Sequence, residues 1–140
     1  MCRKNLGLFL LFFLLSCGKE DDKYCVEVYL SDFINSSKTD SQVIKDCLSF
    51  IEDYERKIVH FDVRNLLIDE AILLDANTTV LLENCTIRQF DYTFDNVFRG
   101  NNCIIDPENP YGYPIQINRI ENIRILGVGL STIIGTDKNR

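Results

Sequence analysis

The side chains able to do chemistry are few and scattered. Carboxylates stand at Asp62, Asp69, Asp75, Asp91, Asp95 and Asp106, and His60 is the only histidine. Cleaving a glycosidic bond needs two carboxyl groups at a fixed separation across it. No pair here has a spacing that imposes that arrangement. Asp91 and Asp95, set among Phe90, Tyr92 and Phe94, come nearest, and their plainer reading is as turn residues. The catalytic residues are therefore unknown at this level. His60 alternates with Val59 and Phe61, so it is expected to point outward as a solvated strand residue, with no partner evident for a role as a base. The sequence has no Gly-rich phosphate loop, nucleophile motif or metal-ligating cluster. No cofactor and no metal are expected.

The aromatic side chains offer binding rather than catalysis. Phe90, Tyr92 and Phe94, with Tyr111 and Tyr113, have faces on which a sugar ring can stack. Tyr111 and Tyr113 lie in a proline-rich bulge, 106–114, and are the possible glycan contacts. The simpler expectation is that the aromatics pack their loop onto the strands. Cysteine usage is also informative. With Cys2 in the leader and Cys17 beside it, Cys25, Cys47, Cys85 and Cys103 remain, and four cysteines allow three pairings. Cys47 and Cys85 fall on apolar faces, where a free thiol behaves as a small hydrophobe, so buried thiols are expected ahead of disulfides.

These groups must be positioned by the stretch from Ile58 to Phe90. Its apolar runs are Ile58–Phe61, Leu66–Ile68, Ala71–Leu74, Thr79–Leu82 and Cys85–Ile87, separated by Asp, Asn, Glu or Thr. Each is too short for a helix and rich in Ile, Val and Leu, so each reads as a buried strand. No Gly-based hairpin turn joins them, which favours a parallel winding. Alternation turns Val59, Phe61, Leu66, Ile68, Ile72, Leu74, Val80 and Leu82 inward. A second copy of the pattern runs from Asn122 to Ile133. Thr86 and Thr132 stand 46 positions apart, which reads as two coils of about 23. Gly127, Gly129 and Gly135 are expected at tight turns of the last coil.

Before these strands, residues 25–30 alternate as a half-exposed strand. Thr39 and Gln42 then form a capping box that opens a helix at about 40–54. Its stripe is Val43, Ile44, Cys47, Leu48, Ile51 and Tyr54, with Phe50 at the edge.

The N-terminus has Arg3 and Lys4 ahead of a short apolar run, Leu6–Leu15, as an export signal does. The run is too short to span a bilayer. Leu14-Leu15-Ser16-Cys17-Gly18 resembles a bacterial lipobox. The resemblance implies cleavage before Cys17 and its lipidation, with residues 1–16 as signal peptide and 17–24 as a charged tether. That tether, Lys19-Glu20-Asp21-Asp22-Lys23, is similar to the acidic run in surface lipoproteins of Bacteroidetes. The expected location is the outer membrane, on its outer or periplasmic side, with the membrane as a partner through Cys17. Removing Arg3 and Lys4 takes the formal charge from −6 to −8, which argues against nucleic acid.

Asp32-Phe33, Thr39-Asp40 and the helix that follows resemble the start of pectin-lyase-like proteins, the superfamily of polygalacturonases and pectate lyases. The glycine-rich loop of that family is absent and the loop is shorter. The resemblance implies a mostly β fold: the N-terminal coils of a right-handed parallel β-helix, residues 25–140, capped by one amphipathic α-helix. It implies polysaccharide as the partner and a glycoside hydrolase or lyase activity. The central coils that carry catalysis in those relatives are expected beyond residue 140, leaving a chain that is catalytically incomplete. The alternative is a small non-enzymatic surface lipoprotein that binds a glycan or a protein.

Overall fold

A computed structural model describes residues 24–101, 120–136 and 138, and the backbone of 103, 104, 115 and 116. The leader, Cys17, most of the tether, and Tyr111 and Tyr113 lie outside the described residues.

The described residues are mostly strand with one α-helix. In order, its elements are β1 (Cys25–Tyr29), a 3-10 turn (Leu30–Phe33), α1 (Asp40–Phe50), β2 (Arg56–Phe61), β3 (Asn65–Ile68), β4 (Ile72–Leu74), β5 (Thr78–Glu83), β6 (Thr86–Gln89), β7 (Phe98–Gly100), β8 (Cys103–Ile104), β9 (Ile115–Gln116), β10 (Arg124–Val128) and β11 (Thr132–Ile134). Three parallel sheets are built in the orders β1-β2-β5-β10, β11-β6-β3 and β4-β7. The short β8-β9 pair is antiparallel.

The strands therefore fall into groups laid one on the next: the triplets β2-β3-β4 and β5-β6-β7, then the pair β10-β11. Asn65 pairs with Thr86, an advance of 21 residues. Thr132 also pairs directly with Thr86. The 46-residue offset is thus one triplet containing an insertion between β7 and β10, not two coils of equal length. The runs Leu66–Ile68 and Ala71–Leu74 form separate strands, β3 and β4, with a corner at Asp69-Glu70-Ala71.

Alternation sets the core. All eight residues expected inward are buried, and they form one cluster with Val26, Val28, Leu30, Cys85, Ile87, the helix residues Val43, Ile44 and Cys47, and Ile51 just past the helix. Identical rows run across the sheets. Val28, Val59, Val80 and Ile125 stand in register in one, and Leu66, Ile87 and Ile133 in another. Turn positions repeat too. Asn77 and Asn122 both adopt φ 59°, and the Asn122 Nδ2 donates to Asn77 Oδ1 at 2.9 Å. Asn84 (φ 49°) is followed in the next group by Gly129 (φ 69°), and Asn84 Oδ1 accepts from Leu130 N at 3.1 Å. A Cβ on Gly129 would lie 2.3 Å from that oxygen. Gly129 is thus the turn glycine; Gly127 lies within β10, opposite Leu82.

Helix α1 ends at Phe50, earlier than its apolar stripe suggests, and the chain turns through 51–53. Both halves of the capping box form: Gln42 N donates to Thr39 Oγ1 and Thr39 N to Gln42 Oε1. The helix packs on β3, β4 and the 3-10 turn. Asp40 Oδ2 accepts the amide of Leu67 at 2.7 Å, and Ser41 Oγ bonds Asp69 at 2.5 Å. Asp62, just past β2, accepts from both the amide and the hydroxyl of Ser31, which fixes the 3-10 turn. Phe33 of that turn rests against Phe50, their ring centroids 5.6 Å apart.

Candidate functional site

Two places on the outer surface bring polar or aromatic side chains together. The first is the loop between β6 and β7. Phe90, Tyr92 and Phe94 do not pack the loop down, as the simpler expectation had it; they are 48%, 66% and 46% exposed. This is a turn and not an alternating strand: Phe90, Asp91 and Tyr92 are exposed in succession, and Thr93 is the buried residue. Tyr92 holds φ 65°, a left-handed conformation that a bulky residue adopts only when its surroundings impose it.

An aspartate stands on each side of this turn. Asp95 pairs with Arg99 at 3.1 Å, both largely buried, and its carboxylate also accepts the amide of Asn96. Gln89 Nε2 donates to the Asp95 carbonyl at 2.8 Å. Asp91 accepts from Lys138 Nζ at 2.6 Å and from Thr136 Oγ1 at 3.2 Å. The Lys138 hydrogen bond, ahead of its charge and Thr136, holds the Asp91 carboxyl below the usual aspartate range. Asp91 and Asp95 therefore brace the aromatic loop from its two sides, each tied to its own cation. A carboxyl held ionised by a lysine makes a poor proton donor, so Asp91 does not suit the acid of a hydrolytic pair.

The second place is the outward face of the sheet β1-β2-β5. His60 points outward as alternation requires, yet it is not solvated: it is 7% exposed. Its Nε2 lies 2.6 Å from Glu27 Oε1 and its Nδ1 2.6 Å from Glu83 Oε1. Tyr29, its register partner, stacks on the ring with centroids 4.2 Å apart and planes 19° from parallel. Burial pulls the imidazole toward neutrality, but the hydrogen bonds and charges of Glu83 and Glu27 outweigh it, and the net shift is upward. Burial, then Glu27 and Glu83, raise the Tyr29 phenol. The imidazole fills the space between the two carboxylates, which leaves no room there for the water or glycosidic oxygen of a hydrolase.

Beside Glu83, an open trough of about 750 Å³ runs along the corner between the first two sheets. Asp62, Arg64, Asn65, Asn84 and Thr132 line it, with Leu130 on its rim. A smaller cleft of about 120 Å³ separates α1 from β4, well below the few hundred Å³ of ordinary ligand pockets.

Cys25, Cys47 and Cys85 are free thiols. Burial, assisted by Asp62 and Asp32, pushes Cys47 up to about 12, and burial with Asp62 pushes Cys85 up to about 11. Both serve as core residues rather than nucleophiles. Among the described residues no group of three His, Cys, Asp or Glu could hold a metal, and no helix is long and apolar enough to cross a membrane.

Glu27 and Glu83 were missed from sequence because they lie 33 and 23 positions from His60. The available signal was a carboxylate at an outward position on each flanking strand. Comparison of the chain with family models, curated proteins and solved structures finds no match in any of the three. The described residues define a mostly β fold of parallel sheets with one α-helix.

Proposed function

We propose that the chain is an exported lipoprotein, anchored through Cys17 at the outer membrane, that carries coils of a right-handed parallel β-helix of the pectin-lyase-like kind and engages polysaccharide without cleaving it unaided. The observation that carries the reading is the braced, exposed row Phe90, Tyr92 and Phe94. The C–H face of a pyranose lies flat on such rings, and the largely buried Asp95–Arg99 pair limits the freedom the loop loses on binding. The parallel register and the helix packed on β3 and β4 support the β-helix part of the reading. The polar trough beside Glu83 supplies hydroxyl-bonding partners along the same winding.

The test is a panel of soluble polysaccharides titrated into the purified chain. The expected result is saturable binding to at least one, weakened roughly tenfold or more in Tyr92→Ala, with no new reducing ends and no unsaturated products. Depolymerisation by the wild-type chain defeats the non-cleaving claim, and silence across the panel defeats polysaccharide binding. Labelled fatty acid should enter the wild-type chain in a bacterial host and not Cys17→Ala. A second reading, a surface lipoprotein that binds a protein partner, draws on Leu130, 88% exposed at the rim of the trough.

A further inference from the structure

We propose that His60 is a proton-operated clasp that fastens the first strand to the rest of the parallel sheet. β1 and β5 do not pair with each other; both pair with β2. The His60 ring, on β2, reaches Glu27 on β1 with one nitrogen and Glu83 on β5 with the other, each at 2.6 Å. Only the imidazolium donates from both nitrogens. A neutral ring turns one lone pair toward a carboxylate oxygen already at hydrogen-bond distance. One of the two bonds is then lost, and Glu27 and Glu83 lose the positive charge set between them.

The groups around the ring reinforce this. From β1 come Glu27 and the Tyr29 hydroxyl, from β5 Glu83, from just past β2 Asp62, and from the 3-10 turn Asp32; all four of the carboxylates raise the Tyr29 phenol. The corresponding register position of β10 offers Leu126. Arg56 and Arg124 sit lower on the sheet, opposite Cys25 and Thr79. Glu83 and Glu27 hold the imidazole above its ordinary value of 6.5 despite its burial. The sign of the linkage follows: the clasp contributes fully below that ordinary value and is lost as pH rises through the folded-state value. The thiols of Cys47 and Cys85, at about 12 and about 11, do not titrate in that window.

The experiment uses the full chain, where the only histidine gives unambiguous imidazole resonances. The expected result is a His60 titration above 6.5, with the urea midpoint falling as pH climbs through the same value. In His60→Gln, whose amide keeps one donor and does not titrate, that fall disappears. A titration at or below 6.5, or the same pH slope in His60→Gln, overturns the clasp. Should His60→Gln not fold, amide exchange in the wild type decides. Protection of β1 relative to β5, corrected for intrinsic rates, falls as pH rises if the clasp operates, and a constant ratio overturns it. The polysaccharide reading does not enter, since Tyr92→Ala leaves the clasp in place.

Discussion

At one end of the stacked groups, Leu66, Ile68 and Ile72 lie under helix α1 and are 3%, 0% and 3% exposed. At the other, Ile125 and Ile133 continue the inward rows of Val80 and Ile87 and are 37% and 45% exposed. Residue type, strand geometry and direction are shared; the difference is a neighbour on the outer side. An inward position in such a stack is buried only when it is covered from both flanks, and the amphipathic helix provides that cover where no strand does. The helix also takes the outward amide of Leu67 onto the Asp40 carboxylate, so the backbone at that edge is satisfied as well as the side chains.

The contrast can be broken most directly in the shared row. Ile87→Ala, at a fully buried position, is expected to cost roughly 2–5 kcal/mol, whereas Ile133→Ala, its register neighbour, should cost about 1 kcal/mol or less. Urea denaturation measures both. Equal costs would mean that the β11 face is covered in solution, and the asymmetry would vanish. Ile44→Ala in the helix should fall with Ile87→Ala, since Ile44 is 2% exposed.

Gly129→Ala is expected to lose about 1–3 kcal/mol. A side chain there is strained at φ 69° and displaces the Asn84 oxygen from the Leu130 amide. Thermal unfolding tests it, and a neutral result would show that the β10-β11 turn is already loose. Thr39→Ala removes the capping box that seats the helix and should cost about 1 kcal/mol by the same measurement. The smallest effect belongs to Lys38→Ala, whose ion pair with Asp46 is nearly half exposed on both sides and is worth about 0–1 kcal/mol, less in high salt.

Alternation made the core legible. Val59, Phe61, Leu66, Ile68, Ile72, Leu74, Val80 and Leu82 followed from a period of two, and the helix start followed from Thr39 and Gln42, because both signals are local. What depended on register was not legible. The Glu27–His60–Glu83 diagonal exists because β1, β2 and β5 align side by side, and no single strand records its neighbours' positions. The spacing of Thr86 and Thr132 was visible, but an insertion of the same order as a coil is indistinguishable from a coil when only the repeat is read. The aromatic loop failed for a related reason. Whether Phe90, Tyr92 and Phe94 face in or out turns on Thr93 being the buried member, which hydrophobicity alone ranks the other way.

The bond from Leu67 to Asp40 also gives the molecule a direction. A visiting strand needs a run of open amides and carbonyls to zip onto, and at β3 the carboxylate has already claimed one of them. Lengthening of the β11-β6-β3 sheet, by this chain or by another, is therefore steered away from β3 and toward β11, much as a cap nut lets a thread be loaded from one end only.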